Sequence, residues 1–261
     1  MNSSVIEWSQ YLAAVWRTNR AYLKPVKDID FISLESLIGI ERQIEAVCRN
    51  TEQFLAGEEA NHVLLWGARG MGKSSIIKGL LAKYHKEGLR VIEIPKDDLV
   101  HLLDICDDIR ELEYRFIIFC DDLSFEEGDA SYKALKSTLE GTIESPPKNI
   151  LVYATSNRRH LLLERMSDNL SREIINGEIH QSDAVEEKMS LSDRFGLSLS
   201  FYSVDLKTYL KMVERYFGDM GADREKIEQE ALRFATQKGI RSGRVAKQFH
   251  TYYRNQMQGM N

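Results

Sequence analysis

The stretch Val63-Leu64-Leu65-Trp66-Gly67-Ala68-Arg69-Gly70-Met71-Gly72-Lys73-Ser74 decides the fold. Four apolar residues, then a glycine-rich turn, then a segment of helical period read as buried strand, loop and helix. The turn matches G-x-x-x-x-G-K-[ST] at every fixed position, in the strand–loop–helix setting that gives the pattern its meaning. Glycines let the backbone curl so that successive N–H groups face one anion. The helix that follows adds the positive end of its dipole. A phosphate is the anion such a cradle fits. Lys73 is placed to reach the β- and γ-phosphates of a nucleoside triphosphate, and the Ser74 hydroxyl to ligate Mg²⁺. Gly67, Ala68, Arg69, Gly70, Met71, Gly72 and Ser75 complete the candidate loop.

On either side the pattern alternates. Short stretches at 63–66, 91–94, 116–120 and 150–154 read as strands, and 197–201 as a fifth. Helices are expected at 41–55, 73–85, 97–109 and 128–139, with Gly57 and Gly141 as stops. Continuous apolar strands alternating with helices indicate an α/β fold, here a five-stranded parallel sheet covered on both faces. Beyond residue 204 three helices follow without a strand, at 205–217, 223–238 and 242–257, and read as a small all-helical domain. At the other end Val5, Trp8, Leu12, Val15, Trp16 and Tyr22 suggest an amphipathic helix that Pro25 ends. The expected organisation is a helix and linker over 1–30, an α/β nucleotide-binding domain over 31–203 and a helical domain over 204–261. Residues 158–193 form a long polar connection of the kind that is functional or partly disordered.

Composition narrows the class. A chain of 261 residues with 43% apolar and 29% charged residues builds an ordinary globular core, which excludes collagen-like and low-complexity chains. The longest apolar runs fall far short of the ~20 residues of a membrane span. The net charge of −5 announces neither nucleic acid nor an anionic membrane, although it leaves room for a local basic groove. Three cysteines without a CxxC pair speak against zinc or redox chemistry and suggest a reducing, cytoplasmic setting. The N-terminal residues lack the basic and apolar regions of a secretory signal. His62, His101 and His180 have no partner at ligand spacing, so no metal beyond Mg²⁺ is expected.

Two strand ends carry chemistry. Residues 116–120 run into Asp121-Asp122, where Asp121 is placed to hold Mg²⁺ and Asp122 to polarise an attacking water. Glu126 and Glu127 are alternatives for the second role. Residues 150–154 run into Thr155-Ser156-Asn157, and the Asn157 amide can orient that water or cap the next turn. No N-K-x-D guanine motif follows, which favours ATP over GTP.

The order of these motifs resembles the AAA+ ATPases. Leu37-Ile38-Gly39 stands upstream, followed by the phosphate loop, Asp121-Asp122, Asn157, Ser192-Asp193-Arg194-Phe195-Gly196 and Ser242-Gly243-Arg244-Val245-Ala246. By this resemblance Ile38 and Gly39 lie against adenine, and Asn157 is the first sensor. Arg194 is a finger that reaches the γ-phosphate in a neighbouring subunit, and Arg244 is the second sensor on a helical lid. Arg241 is a rival to Arg244. A shared site implies a homo-oligomer. The Asp-Asp pair with the later Arg-Phe-Gly looks most like the replication-initiator and helicase-loader branch. The segments 64–67, 121–129, 154–160 and 187–196 are similar to an uncharacterised bacterial family of AAA+ ATPases, domain of unknown function 815. The implied activity is Mg²⁺-dependent ATP hydrolysis that changes oligomer shape and remodels a protein or nucleic-acid client. The alternatives are an ATP-switched nucleic-acid loader with little turnover, a kinase using the same loop, and a sensor that does not hydrolyse. Arg158-Arg159-His160, which could equally touch the bound phosphates, and the stripe Arg241, Arg244, Lys247, His250 and Arg254 are weaker nucleic-acid signals, the stripe reading more simply as a solvated helix face.

Overall fold

The computed structural model describes residues 6–126, 129–140, 147–159, 161, 174–175, 178–179, 191–218, 220 and 223–258. Its elements in chain order are β1 (Ala13–Arg17), β2 (Tyr22–Pro25), α1 (Glu41–Ala56), β3 (Val63–Gly67), α2 (Lys73–Tyr84), β4 (Leu89–Glu93), α3 (Leu102–Ile109) and β5 (Arg115–Cys120). They continue with α4 (Ala130–Glu140), β6 (Ile150–Ser156), β7 (Ile174–Ile175), β8 (Glu178–Ile179), β9 (Leu197–Phe201), α5 (Leu206–Phe217), α6 (Arg224–Lys238) and α7 (Gly243–Gln258). Gly128, Gly141, and most of the 158–193 connection lie outside the described residues.

The main sheet runs β2-β1-β4-β5-β6-β3-β9. Its strands β4, β5, β6, β3 and β9, the last at the sheet's far edge, are mutually parallel and coincide with the five expected strands. Their side chains alternate between two cores. Val63, Leu65, Ile117 and Phe119 face α1, α2 and the C-terminal helices, whereas Leu64, Phe116, Ile118 and Val152 face α3 and α4. Burial on both faces is the reason β3, β5 and β6 read as apolar runs, whereas β9, at the edge, alternates as Leu-Ser-Leu-Ser-Phe and is only partly buried.

The N-terminal helix and the five-strand count are corrected. Residues 13–25 form a hairpin, β1 parallel to β4 and β2 antiparallel to β1, so the sheet has seven strands. Ala14 and Trp16, two apart, both enter the core against Ile92, which is strand spacing. The open edge of β4 offers a row of unpaired backbone groups, and β1 satisfies them. Arg90 locks the arrangement: its Nε donates to Trp8 O at 2.8 Å, and its guanidinium sits 4.1 Å from the Tyr114 ring centre. Pro25 falls on the outer strand, where a missing N–H costs nothing.

At the C-terminal end α5, α6 and α7 pack on one another through Phe217, Phe234, Phe249 and Tyr253. Asp205 caps α5 by accepting from the Thr208 N–H at 2.7 Å. Met212, Val213, Ala246 and Phe249 share their core with α1 and α2. The first turn of α7 meets the phosphate loop directly, with the Arg244 N–H donating to Gly70 O at 3.3 Å.

Candidate nucleotide site

The C-terminal ends of β3, β5 and β6 open on a cleft of about 850 Å³, closed on its other side by α5 and α7. The loop after β3 shapes its floor. Lys73 is buried, and its Nζ donates to Gly67 O at 2.8 Å and Ala68 O at 2.9 Å. The Ala68 N–H is held by Phe201 O at the end of β9. Burial lowers the Lys73 pKa. Arg244 and Arg69 push it the same way, and Asp121 and Asp122 oppose them. Gly70 sits at φ +74°, and a Cβ there would lie 2.9 Å from Arg244 Cβ, so the loop and α7 touch with no side chain between them.

The carboxylates stand opposite. Ser74 Oγ donates to Asp121 Oδ1 at 2.7 Å and ties α2 to the tip of β5. Thr155, at the tip of β6, binds both acids: its hydroxyl donates to Asp121 Oδ1 and accepts from the Asp122 N–H at 2.9 Å. Asp122 adopts a left-handed backbone, φ +55°, which turns its carboxyl to Asn157, whose Nδ2 donates to Asp122 Oδ1. The residues fit a divalent cation. A hydroxyl and a carboxylate at hydrogen-bond distance, beside a phosphate cradle, are the sparse oxygen set that Mg²⁺ takes when phosphates and water complete it. Ser74 and Asp121 would hold the ion, and bound there it would neutralise charge on the β- and γ-phosphates.

Most of the expected residues come together. Ile38, Arg69 to Ser75, Asp121, Asp122, Asn157 and Arg244 all line the cleft. Gly67 and Ala68 face it through the carbonyls that hold Lys73. Gly39, at φ +81°, sits behind it against Thr208 and Val204. Arg194 is exposed and lies outside the cleft. Arg241 also lies outside: its Nε donates to Val204 O at 3.1 Å, and its backbone pairs with Ser203. Of the two alternative acids, Glu126 is exposed and off the cleft, and Glu127 lies outside the described residues, as does His180. The basic stripe of α7 divides. Arg244 and Lys247 line the cleft, and His250 stacks on Tyr216.

The sequence reading missed Thr155, Met212, Arg215 and Tyr216, and named Lys247 only as part of a basic stripe. Thr155 carried a signal, since two residues along a strand from Asn157 put both on one side. Lys247 follows Arg244 by three, the spacing of one helix face. For Met212, Arg215 and Tyr216 there was none, because only packing selects the face of α5 that meets the cleft.

A mostly parallel sheet with a phosphate loop after one inner strand, paired acids at the tip of another, and helices closing the cleft from the C-terminal side define the AAA+ P-loop ATPase fold. The chain matches the model of the family Protein of unknown function (DUF815) over residues 9–257 and belongs to that family. PCH-2 of C. elegans shares the fold with a TM-score of 0.52 at 17% identity, over 82% of this chain and 64% of that one. The Thermotoga maritima RuvB Holliday junction branch migration motor superposes with a TM-score of 0.46 at 15% identity, over 84% of this chain and 71% of that one. At these identities the likeness is one of fold alone. No curated protein matches the chain. Among the described residues no helix is long and apolar enough to cross a membrane.

Proposed function

We propose that the chain binds ATP with Mg²⁺ and hydrolyses it. The observation that carries the reading is the joint between Ser74 and Asp121, 2.7 Å across, in one cleft with Lys73, Asn157 and Arg244. Backbone N–H groups of residues 67–74 receive the phosphates, and Lys73 transfers its hydrogen bonds from the loop carbonyls to phosphate oxygens. Asp122 takes a proton from, or polarises, the attacking water. Asn157 orients that water and now occupies the same carboxylate oxygen, so water activation requires this contact to loosen. Arg244 and Lys247 bring the α5–α7 side of the cleft onto the triphosphate, while Ile38 borders the base with Gly39 behind it, and Ser75 lies beside the phosphates.

In this reading residues 31–203 are the catalytic base and 204–261 a lid whose angle follows the nucleotide. A ligand shifts such an angle only through contacts that differ between the two states, and Arg244 on α7 supplies one. Arg194, outside its own cleft, serves the site of a second copy, so the active form is a homo-oligomer working on a client. A guanidinium delivered this way raises phosphoryl transfer by ~10³–10⁵.

The test is ATPase rate per subunit against protein concentration, for wild type and Arg194→Ala. A specific rate that climbs with concentration, and an Arg194→Ala variant that binds ATP without turning it over, support the shared site. A flat rate equal in both proteins removes the finger. Loss of labelled-ATP binding in Lys73→Ala tests the cleft itself.

A further inference from the structure

Three neighbouring strand tips of the sheet carry groups that the cleft does not use. Trp66 ends the apolar part of β3. Arg158 and Arg159 follow β6 directly after Asn157, and Tyr202 follows β9. The strands lie side by side in the order β6-β3-β9, so the group spans two strand spacings, about 10 Å. None of the four lines the nucleotide cleft.

Their arrangement is specific. The Arg159 guanidinium sits 5.9 Å from the centre of the Trp66 ring, and the Tyr202 ring meets Trp66 edge-on at 6.1 Å and 82°. Tyr202 is 68% exposed, the most open large apolar side chain among the described residues. Both arginines are exposed, and neither makes an ion pair among the described residues. On a chain with net charge −5, two consecutive exposed arginines that no carboxylate among the described residues pairs with offer a local site for an anion.

We propose that this surface binds single-stranded nucleic acid. Each nucleotide of an unpaired strand offers one phosphate and one free base face. Here the Arg159 guanidinium lies over Trp66, exposed Arg158 precedes it in the chain, and the Tyr202 ring that meets Trp66 is open to solvent. Arginine with exposed aromatics is the pairing that single-strand binders use, phosphates on the cations and bases on the rings. A duplex hides its base faces and forfeits the ring contact. Binding at Arg158 also bears on Asn157, its chain neighbour in the cleft, so an oligonucleotide alters ATP turnover if the reading of the cleft holds. The binding itself is independent of that reading.

The experiment titrates the full chain into a fluorescein-labelled oligo(dT) of about 16 nucleotides, followed by anisotropy at several salt concentrations. Wild type binds the single strand better than a duplex of equal length, and the half-buried Trp66 loses emission on binding. The Arg158→Glu/Arg159→Glu variant reduces the salt slope by about 1.4, two single-strand phosphate contacts, and weakens binding. Tyr202→Ala weakens it roughly tenfold, and Tyr202→Phe restores it. Because only Tyr202 changes in the second pair, the test survives a charge-reversal variant that fails to fold. Lys73→Ala keeps oligonucleotide binding.

No binding by wild type overturns the proposal, as does binding that neither set of variants alters. Loss of binding in Lys73→Ala places the oligonucleotide in the cleft and also overturns it. Variants that abolish self-association in the ultracentrifuge but leave oligonucleotide binding intact assign the surface to a second copy instead. If ATP fails to bind wild type while the oligonucleotide still does, the reading of the cleft falls and this proposal stands.

Discussion

The contact between the phosphate loop and α7 is open to a sharp test, Gly70→Ala. Gly70 has φ +74°, and an alanine there pays about 1–2 kcal/mol for the left-handed backbone. The methyl also arrives 2.9 Å from Arg244 Cβ and 2.9 Å from Ser242 Oγ, about half an ångström too near for each. Neither neighbour retreats freely. Arg244 Cβ moves only with the α7 backbone, and Ser242 Oγ accepts the Val245 N–H at 3.3 Å in the first turn of that helix. Overpacking of this kind costs about 1–3 kcal/mol more. Gly239→Ala separates the two costs, because Gly239 has nearly the same φ, +68°, with nothing within 4 Å of the added carbon. Thermal melting with and without ATP and Mg²⁺ is the assay. Gly239→Ala lowers the melting temperature by roughly 2–8 °C and leaves the ATP-induced rise intact. Gly70→Ala falls further and loses part of that rise, about 1.4 kcal/mol for each tenfold loss of affinity. Two variants with equal losses and equal ATP responses would refute the claim that α7 bears on the loop.

Thr155→Val removes the hydroxyl that holds Asp121 and Asp122 together while keeping the side-chain volume. Partners that orient a metal ligand are worth 10- to 100-fold in metal affinity, so the Mg²⁺ concentration for half-maximal turnover rises about that much; an unchanged Mg²⁺ titration denies Thr155 this role. His62 Nδ1 accepts the Val152 N–H at 3.0 Å, and burial pushes its pKa down from 6.5 to about 4. The unfolded chain therefore takes up a proton below pH 6.5 that the folded chain refuses until about 4, so stability is full above this window and declines as pH falls through it, by up to about 3 kcal/mol. His62→Gln flattens that limb in denaturant titrations, and an unaltered limb assigns the acid loss elsewhere. Among the described residues Trp16 Nε1 is buried with no hydrogen-bond partner. Trp16→Phe relieves the orphan donor at the cost of some packing, so chemical denaturation finds it within about 1 kcal/mol of wild type, and a loss above about 3 kcal/mol would reveal a role for the indole N–H.

What the sequence made legible follows from how local each signal is. The central strands β3, β5 and β6 were readable because burial on both faces leaves an apolar run, which no partner is needed to interpret, and the edge strand β9 by its alternation of apolar residues with serine. The phosphate loop was readable because its chemistry is written in consecutive residues. The hairpin at 13–25 was not. Trp8, Leu12, Val15 and Trp16 recur at three and four, the helical spacing, while the competing alternation of Ala14 and Trp16 spans a single step. A lone two-stranded ribbon is marginal in water, so the choice is made by the free edge of β4 and by Arg90, both far along the chain.

The two arginines ahead of and within α7 show the same limit inside the site. Arg241 and Arg244 are three apart, equal in charge, and either suits a γ-phosphate. The distinction lies in what else needs a donor. The chain leaves β9 and enters α5 through Ser203 and Val204, and the turn before α7 has to be fastened to that junction if the helices are to move as one against the sheet. Arg241 does the fastening: it donates to Val204 O, its own carbonyl receives the Ser203 hydroxyl, and the Val204 N–H reaches the same carbonyl at 3.3 Å. Arg244, one helical turn on, keeps its guanidinium on the cleft side while its N–H holds Gly70. Arg241 builds the joint on which the lid would turn, and Arg244 is the cation that the turning would carry toward the phosphates.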